Sequence, residues 1–254
     1  MGIGDTIIFL PFIKALYKKF NSPISLLVKE SSKANQYLYQ TEYIDKILLL
    51  ERDDKNNSRH SGFFGSINLI KDLKKHNFDK IFIFNSSFRF YLISKFSGIS
   101  EIYQYPLFKK KNQHVTDAPR NFIKDKLNLE VNEDPEIQID EELNSEWIRK
   151  FQINKNEMNI LFGVGGSGPT KRIPAKTFLS VMDKISKIKK CNFFLAAGKN
   201  IEEQNIIREI LESRYKNYCI PLDNLSIKDT LPIIKKCNLS VCNDSSFSHL
   251  SAAL

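Results

Sequence analysis

Two blocks in which short apolar runs alternate with segments of helical period constrain this chain most. An acidic, proline-bearing stretch at residues 130–144 parts them. Such alternation predicts βαβ units, which build parallel sheets with helices on their faces. In the first block a helix follows Asp5, carrying Ile8, Phe12, Ala15, Leu16 and Phe20 at helical spacing. Strands are predicted at 24–28, 47–50, 78–84 and 102–105, and helices at 66–76, 87–96 and 121–127. A polar loop is predicted at 54–65 and a basic loop at 109–117. In the second block strands fall at 159–162, 192–196, 217–220 and 239–242, with helices at 174–187, 202–213 and 226–236. The fold class that follows is α/β, with two doubly wound, Rossmann-like parallel-sheet domains at 1–137 and 138–254. The opening turn lacks a preceding strand and Leu254 falls mid-helix, so the sequence reads as a fragment cut at both ends.

With 42% hydrophobic residues the chain has enough apolar material for a core, which excludes wholesale disorder. Cys191, Cys219, Cys237 and Cys242 show no C-x-x-C spacing and sit in or beside apolar segments, the pattern of reduced thiols in a cytoplasmic protein. No apolar run approaches the ~18 residues of a membrane span. The net charge of +9 comes from 30 Lys and only 8 Arg, spread thinly. That distribution argues against nucleic acid as a partner, since lysine is the poorer residue for bidentate recognition. It suits an anionic acceptor or the peripheral surface of an anionic membrane.

Ligands of doubly wound sheets sit at the turns after the strands, and three turns carry chemistry-bearing residues. "GIGDT" at 2–6 places Asp5 at a helix start, where it serves either as a cap or as a general base facing an interdomain cleft. "GVGGSGPTKRIP" at 163–174 matches G-x-G-x-x-G, but Pro169 follows the third glycine and the helix is predicted to start at Pro174. No acidic residue closes the next strand, so the dinucleotide fingerprint is a decoy. The turn reads instead as an anion cradle of free amides with Thr170 and Lys171. "NDSSFSHL" at 243–250 joins a strand to a helix, with Ser245 and His249 one turn apart. Asp244 is expected to cap that helix or to orient a neighbouring donor. No carboxylate or histidine cluster has metal spacing, so neither metal nor cofactor is expected.

At these residues the sequence resembles glycosyltransferase family 9, the heptosyltransferases of lipopolysaccharide inner-core assembly. The likeness rests on G-x-G-D followed by "PFIKAL", on the glycine turn ending in "KRIP", and on "NDSSFSHLSAA"; "FDKIFIFNSSFRFYLISKFSGI" adds a fourth segment. Ile173 stands where the family has an aromatic residue, and Ser246 where it has glycine. The resemblance implies a GT-B architecture with an acceptor-side first domain and a nucleotide-diphosphate-sugar-binding second domain. It further implies an inverting transfer, of heptose from ADP-heptose, to an anionic glycolipid. Asp5 would be the base. Thr170, Lys171, Glu202, Asp244, Ser245, Ser246 and His249 would form the donor site. The oligomeric state stays open. A non-catalytic nucleotide-sugar binder and a nicotinamide enzyme stand as alternatives, separable by titration with ADP and with NAD.

Overall fold

The structure, a computed structural model, describes residues 2–52, 58–107, 114–151, 153, 157–166 and 168–254. The chain opens with α1 (Ile3–Phe20), β1 (Ile24–Lys29), β2 (Ile44–Leu50) and α2 (Gly62–Lys74). It continues through β3 (Lys80–Ile83), α3 (Phe88–Phe96), β4 (Glu101–Gln104), α4 (Asp117–Leu127) and α5 (Glu141–Lys150). The last part comprises β5 (Met158–Gly163), α6 (Ala175–Ser186), β6 (Cys191–Ala196) and α7 (Ile201–Leu211), then β7 (Cys219–Pro221), α8 (Ile227–Lys235), β8 (Leu239–Cys242) and α9 (Ser246–Ala253). Two compact units result. One comprises Met1–Ile8, Ser32–Ile44 and Asp134–Leu254; the other comprises Phe9–Ser31 and Asp45–Glu133. No helix among the described residues is long and apolar enough to cross a membrane.

The unit that holds residues 134–254 is built on a parallel sheet in the order β7-β6-β5-β8. β5 and β6 read as near-continuous apolar runs because both their faces are covered. Phe162 lies between Phe178 of α6, edge-on at 5.4 Å, and Phe193 of β6, stacked at 5.5 Å. Helices start where the sequence supplies caps: the Asn200 side chain accepts from Glu203 N at 3.0 Å, and Ser226 Oγ accepts from Asp229 N at 3.2 Å. β5 comes first in this sheet yet lies inside it. The chain adds β6 and β7 on one side, then returns to lay β8 on the other. That reversal creates a crevice between the carboxyl ends of β5 and β8, where α/β sheets bind their ligands.

In the other unit, β3 and β4 pair in parallel with Phe82 opposite Tyr103, their rings stacked at 4.7 Å. β1 and β2 pair as a second two-stranded sheet. Asp72 of α2 is the polar hub. It accepts from Arg59 Nη2 at 2.7 Å, from Lys75 Nζ at 2.9 Å and from the buried His60 Nε2 at 3.2 Å. Burial opposes its ionisation, but the bonds from Lys75, Arg59 and His60 outweigh burial and hold its carboxyl far below the usual carboxylate range. The stabilisation is therefore complete above the ordinary carboxylate value of ~3.9 and fades as pH falls toward the depressed folded value. Asp72→Asn should lower Tm most at neutral pH, and the gap to wild type should narrow progressively as pH falls below about 4. Thermal melts across pH check this; a gap independent of pH would remove the charge from the account.

Several boundaries differ from the sequence expectation. Residues 62–65, read as loop, are helical. Gly62 takes φ 64° to turn the chain into α2, and a Cβ at Gly65 would come within 2.2 Å of His60 C. α1 begins at Ile3, so Asp5 lies in its first turn. α6 begins at Ala175, with Pro174 extended at the cap (φ −62°, ψ 149°). α4 begins four residues earlier than its apolar pattern suggested, at Asp117. Parts of the predicted loops, 54–57 and 109–113, lie outside the described residues. The four cysteines are free, and burial pushes the Cys219 and Cys237 thiols up to about 12, so neither carries thiolate at neutral pH.

Candidate active site

The crevice between β5 and β8 is lined by the turns that follow them. Asn243, the first residue after β8, is buried and ties the two turns together. Its amide donates to Val164 O at 2.8 Å and its side-chain oxygen accepts from Ile173 N at 3.2 Å. Asn243 N completes the seam by donating to Gly163 O at 2.9 Å. Glu203, on the first turn of α7, performs the same task between β5 and β6. Its buried carboxylate accepts from Gly166 N at 3.0 Å and from Gly198 N at 2.5 Å. A Cβ at Gly165 would come within 2.9 Å of Glu203 Oε2, which accounts for glycine there without a dinucleotide. The Arg172 guanidinium adds a bond to Gly166 O at 3.0 Å.

These bonds change the anion cradle foreseen at this turn. The amides of Val164, Gly166, Lys171 and Ile173 are already engaged, by Ala196 O, Glu203, Gly168 O and Asn243 respectively. The positive element of the turn is therefore chiefly Lys171, with Thr170 exposed beside it on a short 3-10 turn. Lys171 Nζ meets Asp244 Oδ2 at 2.5 Å, and both side chains are largely exposed. The hydrogen bond from Lys171 and its charge, with that of His249, hold the Asp244 carboxyl below its ordinary value. Asp244 thus orients Lys171. It does not cap α9, whose N-cap is Ser245 and which receives no side-chain cap. Ser245 Oγ is buried without a partner, and Ser246 opens the helix.

His249 extends the site to α1. A Cβ at Gly4 would lie 2.4 Å from His249 Cδ2 and 2.8 Å from Nε2, so the imidazole rests directly on the backbone of the first turn. Both residues belong to the same compact unit. Asp5 follows Gly4. One of its carboxylate oxygens accepts from Gly2 N at 2.7 Å, the reverse half of a capping box, and the side chain is exposed. The structure thus brings Asp5, His249, Asp244 and Lys171 into one neighbourhood. Glu202 is exposed on the first turn of α7, with Oε2 4.0 Å from Arg172 Nη1. Among the described residues no three of His, Cys, Asp and Glu are grouped to hold a metal.

Sequence reasoning passed over Glu203, Asn243 and Arg172. The signal for Glu203 was present, as a second acidic residue in a helix start facing two glycine turns. Ile173, in the place of an aromatic, packs against the core beside α6.

The family model for glycosyltransferase family 9 (heptosyltransferase) matches residues 67–254. The chain is 26% identical to lipopolysaccharide heptosyltransferase 1 of Campylobacter coli, an alignment that covers 100% of this chain and 79% of that protein. A glycosyltransferase family 9 structure from Veillonella parvula superposes with a TM-score of 0.78 at 19% identity, covering 99% of this chain and 75% of that one. The E. coli ADP-heptose lipopolysaccharide heptosyltransferase II superposes with a TM-score of 0.74 at 16% identity, covering 100% and 80%. These likenesses identify the α/β fold as GT-B. With three-quarters of its length matched by the family model, the chain belongs to glycosyltransferase family 9 and is a glycosyltransferase of the heptosyltransferase kind.

Proposed function

We propose that this enzyme moves heptose from ADP-heptose to the core of a lipopolysaccharide precursor, with inversion at the anomeric carbon. The observation that carries the reading is the packing of His249 on Gly4. It joins the turn that carries Asp5 to the helix that follows the Lys171–Asp244 pair, within one compact unit. A base and an anion-binding group set close together are what transfer from a nucleotide diphosphate requires. The names of the two heptosyltransferase relatives supply the donor and the acceptor class. The basic surface, at +9, suits an anionic glycolipid reached from the cytoplasmic side.

In this mechanism the free oxygen of Asp5 takes the proton of an acceptor hydroxyl. The hydroxyl oxygen bonds to the anomeric carbon from the face opposite the leaving group, and the bond from that carbon to the phosphate oxygen breaks. The electron pair leaves with ADP. Lys171 and the uncapped amides of α9 neutralise the growing charge, with Thr170, Ser245 and Ser246 adding hydroxyl donors. Glu202, on the first turn of α7, contacts the nucleoside. The reaction calls for no metal or cofactor, because lysine and helix amides do the work of charge neutralisation.

Lys171 must leave Asp244 to reach the diphosphate, and an exposed ion pair resists little. Lys171→Ala should weaken ADP binding at least about tenfold, in line with the ~1.5–3 kcal/mol of a hydrogen bond between charged groups. It also leaves Asp244 as uncompensated negative charge. Lys171→Ala/Asp244→Ala should therefore regain part of the loss, a non-additivity that calorimetric titration with ADP reads directly. An unchanged Kd in Lys171→Ala would remove the lysine from the donor site. ADP binding in wild type without heptose transfer would favour the non-catalytic alternative.

A further inference from the structure

The two basic residues of the turn after β5 diverge. Lys171 turns to Asp244 beyond β8, whereas Arg172 turns to the side of α7. The stem of Arg172 lies on Gly166, where a Cβ would come within 3.2 Å of Arg172 Cγ and 2.8 Å of Lys171 O. Its Nε donates to Gly166 O at 3.0 Å, and the side chain is only 17% exposed. The Gly166 peptide is thus held from both ends, by Arg172 at the oxygen and by Glu203 at the nitrogen. With its stem packed and its Nε engaged, the guanidinium has little freedom. It presents Nη1 to Glu202 Oε2 at 4.0 Å, close enough for charge attraction and too far for a hydrogen bond. Glu202 is the mobile partner: its side chain is 59% exposed, and among the described residues Arg172 is its one ion-pair partner. Ile201, beside it at the start of α7, is 63% exposed, an apolar surface of the kind a nucleobase covers.

We propose that Arg172 is a positioning residue for the nucleoside half of the donor site, acting through Glu202 and not on the donor itself. The inference rests on the reading above in which Glu202 contacts the nucleoside. An exposed glutamate samples several rotamers, and a ligand that needs one of them must meet the cost of ordering it. A fixed guanidinium beside the carboxylate favours one placement before the donor arrives. Because the contact is made without a hydrogen bond, both carboxylate oxygens keep their lone pairs for N–H or O–H groups of the nucleoside. Lysine would do this poorly. Its single ammonium cannot hold Gly166 O with one edge and face Glu202 with another, as the planar guanidinium does. A phosphate is the poorer partner for Arg172. Glu202 and Glu203 stand on this side of the turn against Arg172 and Lys199, so no positive charge is left over there.

The test is calorimetric titration of the full chain with ADP, and with inorganic pyrophosphate, which has no nucleoside. Arg172→Met keeps the apolar stem and removes the guanidinium. It should weaken ADP binding about three- to tenfold and leave pyrophosphate binding unchanged. Arg172→Met/Glu202→Ala should bind ADP no more weakly than Glu202→Ala alone, because a residue that acts through Glu202 has nothing to do once Glu202 is gone. Arg172→Lys should fall between wild type and Arg172→Met, and it serves as the test variant if Arg172→Met does not fold. Additive losses in the double variant overturn the proposal. So does an equal loss of ADP and pyrophosphate affinity in Arg172→Met, which would make Arg172 a phosphate ligand or a mere support of the whole turn. A loss in Glu202→Ala with none in Arg172→Met overturns this inference alone. A wild-type Kd for ADP in Glu202→Ala instead removes Glu202 from the nucleoside, and the reading beneath the inference falls with it.

Discussion

Asp5→Asn should lower kcat by about 10²–10⁴ while changing the Kd for ADP little. Asparagine is the informative replacement because Asp5 has two duties. One oxygen accepts from Gly2 N at 2.7 Å and fixes the start of α1. Asparagine keeps that acceptor and the shape of the turn, and removes only the basicity. Asp5→Ala removes both, so its activity loss would mix chemistry with a frayed helix start, which by itself costs roughly 0.5–2 kcal/mol. A large fall in kcat for both variants, with Tm lowered only in Asp5→Ala, would separate the duties. Wild-type kcat in Asp5→Asn would reduce Asp5 to a capping residue and leave the proposed reaction without its base. Because His249 lies against Gly4, a variant there that moved the ring would also disturb the turn carrying Asp5. A kcat effect of His249→Ala thus needs the ADP affinity measured beside it to show which side of the site has moved.

The parts of this molecule legible in its sequence are those decided by local pattern. Continuous apolar runs marked β5 and β6 because both faces of a central parallel strand are covered, and β8 has the bounds its pattern gave, 239–242. The decoy nature of the glycine turn was also legible, from Pro169, from the helix start at Pro174 and from the missing acidic residue after the next strand. What stayed hidden depends on contacts across long sequence separations. Lys171 and Asp244, Asn243 and Val164, and Glu203 and Gly166 each pair residues 37 to 79 positions apart. The Glu202–Glu203 doublet shows the difficulty. Both residues suit a helix start, and only the angular phase of α7 against two turns decides which carboxylate is buried. The start of α2 was misread because Gly62 and Gly65 look like loop residues, whereas they are there for a positive φ and a close backbone approach.

That buried carboxylate carries the second large expectation. Glu203→Leu keeps the side-chain volume but leaves the buried Gly166 N without an acceptor and takes the partner from Gly198 N, at an exposed glycine. One buried amide left unpaired costs about 1–3 kcal/mol, which for a chain of this size lowers Tm by roughly 2–12 °C; the exposed Gly198 N turns to water. Glu203→Gln retains one acceptor and turns an N–H against the second amide, so its loss should be intermediate. Both turns hold the proposed donor-site residues, so ADP affinity should fall in the same order as Tm: wild type, Gln, Leu. Glu202→Ala is the control that gives the comparison its force. Glu202 is exposed, so its removal should change stability by no more than about 0.5 kcal/mol, and any effect on ADP affinity would be a direct one. Stability lost with Glu203 and kept with Glu202 would show that adjacent carboxylates divide the work, one building the turns and the other facing the nucleotide. A Glu203→Leu variant that melts with wild type would mean the two amides find other acceptors, and the bridge between β5 and β6 would have to be sought in Asn243 and the strand ladder alone.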